Sequence, residues 1–108
     1  MKLKYDINAF VLMEEILGDS LTNIASNPAN FMKMTSLRVM CWAGMLHEKP
    51  NLSLRDAGAA MQAELEAGKK LADLGDAVSE AFDKSGIFGK AQAEGEQGNP
   101  PTNPAPEQ

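Results

Sequence analysis

The sequence predicts an all-α fold, a small bundle of four to five short helices. Two observations predict it. Apolar residues recur at helical spacing in one segment after another, as in Phe10, Met13 and Leu17 and again in Leu54, Ala57, Met61 and Leu65. That spacing puts them on one face of a 3.6-residue repeat. Between these segments stand residues that start and stop helices: Asp6, Ser20 and Ser53 as N-caps, Gly18 and Gly86 as C-terminal glycines, Pro28 and Pro50 as breaks.

Taken in order, residues 1–5 (Met-Lys-Leu-Lys-Tyr) alternate apolar and basic, which suits a short edge strand and an extended arm equally well. Asp6 caps a first helix over Ile7 to Leu17, with Phe10, Met13 and Leu17 on one face, Ile16 beside them and Glu14 and Glu15 on the other side. Gly18 ends it in the left-handed conformation. Ser20 caps a short second helix over Leu21 to Ala25. Pro28 stops it, because proline disfavours helix in the residue before it. Residues 28–34 read as a loop or a loose helical turn.

Thr35 or Ser36 is the expected cap of a central helix running to about His47. The run Leu37 to Leu46 is apolar on nearly every side, so it is either the centre of a bundle or half of an interface. At about ten residues it is too short to span a bilayer. Ser53, with Asp56 at the third helical position, opens the next helix in an acidic version of the capping box. Ala67-Gly68 breaks the chain. Lys69 to Ser85 form the last helix, with Leu71, Leu74, Val78, Ala81 and Phe82 inward and Gly86 as its stop. Residues 1–88 are therefore expected to form one helical domain. Residues 89–108 are dominated by Gly, Pro, Gln, Asn and Glu and hold no large apolar side chain. Such a segment cannot offset an ordering entropy of roughly 1–2 kcal/mol per residue, and a disordered, acidic tail is expected.

The chain has 108 residues, one cysteine and a formal charge of −5. Residues 1–90 hold ten basic side chains against twelve acidic ones, and 91–108 hold three acids and no base. Neither part has the basic stripe that neutralises phosphates, so nucleic acid is not an expected partner. No basic amphipathic helix points to a membrane surface. A lone cysteine and a first segment without an apolar signal core predict a reducing cytoplasm.

Several residues invite a chemical reading and receive a plainer one. Asp19-Ser20-Leu21 resembles the phosphopantetheine attachment motif of acyl carrier proteins, which are also small, acidic and helical. That serine normally heads a long helix, whereas Pro28 cuts this one after a turn or two, so Ser20 reads as a helix cap. The same letters resemble the nucleophile block of a serine hydrolase family, but His47 is the only histidine and the chain is too short. Cys41 and His47 are six residues apart, about 600° of helix rotation, and point to different sides. Cys41 reads as a small core residue, and His47 as a side chain that complements a helix C-terminus. One Cys, one His and scattered acids lack metal-ligand spacing, and Gly89-Lys90 lacks a phosphate-loop context. No catalytic residue, metal or cofactor is expected.

Of seven methionines, Met32, Met34, Met40 and Met45 crowd the middle third. Methionine adapts to irregular partners and is over-used on promiscuous binding surfaces. Phe31, Met32 and Met34 on an irregular segment, Met45, and the pair Ile87-Phe88 past the last helix are the candidate protein-binding residues.

Tyr5-Asp6-Ile7-Asn8-Ala9, then Glu14-Glu15 and Gly18, Leu37-Arg38, Trp42-Ala43-Gly44-Met45-Leu46-His47-Glu48, Leu52-Ser53-Leu54 and Gly58 stand in an order that resembles the small tail assembly chaperones of long-tailed bacteriophages and the related gene transfer agent proteins. The likeness covers roughly residues 5 to 82. It departs in the methionine-rich stretch 31–45, which suggests a different partner surface. The resemblance implies no chemistry. It implies a protein of the host bacterial cytoplasm that binds the long, aggregation-prone tape measure protein and recruits tail tube subunits; residues 31–45 and 87–88 are expected to contribute to a client or self-association surface. It also implies two product lengths through a ribosomal frameshift, for which Gly89-Lys90 suits one common slippery codon pair. The alternatives are a carrier protein modified at Ser20 and a small regulator that binds another protein or DNA. Against DNA stands the shortage of arginine, Arg38 and Arg55 alone.

Overall fold

The computed structural model describes residues 1–88, so the expected tail at 89–108 lies outside the described residues. Five α-helices follow one another: α1 (Ile7–Leu17), α2 (Leu21–Ser26), α3 (Met34–Met45), α4 (Leu54–Glu66) and α5 (Leu71–Ser85). A 3-10 turn, Pro28–Phe31, stands between α2 and α3. The fold is all-α, as the capping pattern and spacing predict, and among the described residues there is no strand.

The caps explain the element limits. The Asp6 carboxylate accepts the Ala9 N–H at 2.9 Å, and Gly18 closes α1 with φ 71° while its N–H reaches the Glu14 carbonyl. The Ser20 hydroxyl accepts the Asn23 N–H at 3.1 Å. The Glu14 carboxylate, expected to face away, reaches forward to accept the Leu21 N–H at 2.6 Å. One acid thus satisfies an orphan donor at the start of α2. Ser53 accepts the Asp56 N–H at 3.0 Å, and Asp73 accepts the Lys70 N–H at 2.8 Å to open α5.

Of the two readings of segment 28–34, the helical turn is the one the structure shows. Asn27 accepts the Ala29 N–H, Pro28 occupies the first position, where its missing N–H costs nothing, and Asn30 donates to the Ile24 carbonyl at 3.1 Å. The exit from this turn fixes the start of α3. Met32 and Lys33 both donate to the Ala29 carbonyl, and the Lys33 carbonyl accepts the Leu37 N–H at 2.8 Å. Helix α3 therefore begins at Met34, earlier than a Thr35 or Ser36 cap would allow, and no side chain caps it. Ser36 lies inside its first turn and is buried.

Helix α3 is the axis of the bundle. It contacts α1, α4, α5 and the 3-10 turn, and Leu37, Val39, Met40, Cys41, Ala43, Gly44 and Met45 are all buried. The apolar run is thus a bundle centre. Its half-buried Trp42 ties α3 to the approach to α4, donating from Nε1 to the Leu52 carbonyl at 2.7 Å.

The first residues form an extended arm laid along the end of α3. Lys4 N–H donates to the Gly44 carbonyl at 2.9 Å, and the buried Tyr5 hydroxyl donates to the Met40 carbonyl at 2.5 Å. Gly44 makes this possible. A Cβ there would sit 2.9 Å from the Tyr5 ring and 3.0 Å from Leu3. Gly75 performs the same service on α5, where a Cβ would stand 2.6 Å from the Phe31 carbonyl oxygen. Around these contacts Phe82 gathers three rings edge-to-face: Tyr5 at 4.8 Å, Phe10 at 5.4 Å and Phe31 at 5.8 Å between centroids. Such pairs favour this geometry and add about 0.5–1.5 kcal/mol each beyond burial.

Candidate docking surface

The candidate binding residues separate into covered and open groups. Phe31 is half-buried against Phe82, pointing in from the 3-10 turn. Phe88 is also half-buried against the core, and Ile87 is exposed. Met45 is buried, 8% exposed, so it belongs to the core and contributes no surface. Met32 and Met34 are open, 48% and 56% exposed. They flank the junction between the turn and α3, where the chain has just placed Phe31 inward and the next residues swing out.

Met34 borders a groove of about 330 Å³ between the start of α3, the second half of α4 and the start of α5. Met61, Leu65 and Leu71 supply its apolar lining, with Gly58 beneath Arg38. The Arg38 Cδ would be 3.3 Å from a Cβ at position 58, so its aliphatic stem lies against α4. Among the described residues Arg38 takes part in no ion pair. The arrangement offers a flexible thioether, an apolar channel and one guanidinium, the elements that receive an amphipathic helix and a carboxylate on it.

Leu65 and Leu71, expected inward, are half-buried against the core and also line this groove. They stand near the end of α4 and at the start of α5, on either side of the Gly68 turn. Sequence reasoning missed Ile7 and Val11, exposed one helical turn apart on α1, and Ile16, expected beside the core face but exposed.

The other tempting side chains have structural partners. Ser20 is exposed and its hydroxyl serves as the α2 cap. Cys41 is wholly buried, and burial pushes its thiol up to about 12. His47 Nδ1 pairs with the Gly44 carbonyl at 2.7 Å just past the end of α3. Among the described residues no three His, Cys, Asp or Glu side chains gather where they could hold a metal ion, and no helix is long and apolar enough to cross a membrane.

Comparison with protein-family models, with curated proteins and with solved structures returns no match to this chain.

Proposed function

We propose that this protein is a tail assembly chaperone that binds the tape measure protein of a long-tailed phage, within the host bacterial cytoplasm, and keeps it soluble during tail assembly. The observation that carries the reading is the open Met34 at the rim of an apolar groove in a small helical bundle. Contiguous exposed apolar surface marks an interaction site, and Met34 continues the apolar lining of the groove to its rim. A long helical client presents apolar stripes at i, i+3, i+4 and i+7, which such a groove accepts one segment at a time. Methionine suits a client whose successive segments differ, because its side chain repacks. The ordered likeness over roughly residues 5 to 82 favours the tape measure protein as that client. Tail tube subunits are a second partner under the same reading.

Co-expression with the tape measure protein of the same phage tests the proposal. The client stays in the soluble fraction when this chain is present and precipitates when it is absent. Equal solubility in both cases ends the reading.

A further inference from the structure

A second surface carries a different inference. Between the arm and α5 lies a cleft of about 600 Å³. Lys2 and Lys4 line it from the arm and Lys84 from α5, over a floor that includes Leu3, Ala77 and Ala81. Lys2 and Lys4 are both exposed and both border the cleft, with the half-buried Leu3 between them. Among the described residues neither forms an ion pair, and Lys84 meets only Glu80, at 3.9 Å with both side chains exposed. Three ammonium groups thus stand against one carboxylate here. Elsewhere the balance is reversed, since residues 1–88 hold nine basic and twelve acidic side chains. The cleft is a local positive site on an acidic protein.

The chain carries its own complement. Ala91-Gln92-Ala93-Glu94-Gly95-Glu96 holds two carboxylates two residues apart, among small side chains. Ser85 also lines the cleft, so the chain leaves α5 at its edge. Glu94 follows nine residues later, a span of up to about 30 Å. We infer that the acidic segment around Glu94 and Glu96 docks in the cleft formed by Lys2, Lys4 and Lys84. Individual exposed ion pairs are weak, but the segment is tethered, so it competes at an effective concentration of roughly millimolar. The docked segment is expected to leave as salt rises and the charges are screened. The site is separate from the Met34 groove, and the inference stands or falls independently of the chaperone reading.

Amide spectra of the full chain test it. At about 20 mM salt, Glu94→Gln/Glu96→Gln shifts the Lys2, Lys4, Lys84 and Ser85 signals, and raising wild type to about 500 mM salt produces the same shifts. Reciprocally, Lys2→Gln/Lys4→Gln moves the Glu94 and Glu96 signals. All substituted positions are on the surface or past α5, and circular dichroism verifies that helix content is unchanged. Shifts confined to the neighbours of each substitution overturn the inference. A pattern that fades on dilution also overturns it, because the occupant is then a second copy.

Discussion

The two ends of α3 use the same residue type for opposite purposes. Met40 and Met45, in its second half, are 0% and 8% exposed, whereas Met32 and Met34, at its start, are 48% and 56% exposed. Neither pattern follows from methionine itself. At the far end an extended arm lies across Gly44, and Tyr5 fastens it to the Met40 carbonyl. At the near end the 3-10 turn sends Phe31 into the aromatic cluster and leaves the next residues uncovered. What lies over a helix, and not how apolar it is, decides which part is core and which part stays exposed.

Substitutions at the covered end break this contrast most strongly. Met40→Ala leaves a void around a fully buried side chain and is expected to cost about 3 kcal/mol in urea unfolding. Gly75→Ala drives a methyl group toward the Phe31 carbonyl. The expected net loss is about 1–2 kcal/mol, because overpacking outweighs the roughly 1 kcal/mol that alanine gains over glycine in a helix. Tyr5→Phe removes the hydroxyl that ties the arm to α3 and is expected to lower stability by about 1 kcal/mol, since a buried hydrogen bond contributes about that much.

Alkaline titration gives a smaller effect at the same end. The Cys41 thiol is raised by burial from an ordinary value of 9.0 to about 12. Above pH 9 the unfolded chain releases this proton before the folded one does. The stabilisation is therefore complete below pH 9 and declines as the pH climbs toward 12. Tyr5, also raised by burial, acts in the same direction. The fall in melting temperature between pH 9 and 11 should be shallower in Cys41→Ala than in wild type, relative to each protein's value at pH 7. Met34→Ala is the smallest change. It leaves stability within about 0.5 kcal/mol, because an exposed side chain loses little on truncation.

The pattern of what was legible in the sequence follows the same divide. Asp6, Ser20, Ser53, Gly18 and Gly86 act where they were expected because a cap is a local bond, made within three residues or by one φ angle. The all-round apolar run narrowed α3 to a bundle centre or half of an interface, and its contacts with α1, α4 and α5 make it the centre. The start of α3 was not legible, because a backbone turn anchored on Ala29 sets it and no capping side chain marks it. The choice between strand and arm for residues 1–5 depended on a contact with Gly44, about forty residues away. Met45 was placed on the surface by composition, and the bundle buries it. Within the candidate site, Met32 and Met34 were legible as apolar residues on an irregular segment. Arg38, Leu65 and Leu71 were not, since their groove exists only once α3, α4 and α5 are packed.

Calorimetric titration of a tape measure helix into wild type and Met34→Asp decides whether the near end of α3 is the proposed docking surface. The substitution sets a charge at the groove rim without touching the core. Affinity is expected to fall about tenfold or more, a change of about 1.4 kcal/mol, while the melting temperature does not fall, because an acid in the first turn of α3, four residues before Arg38, favours the helix. Undiminished affinity with an intact fold would contradict it.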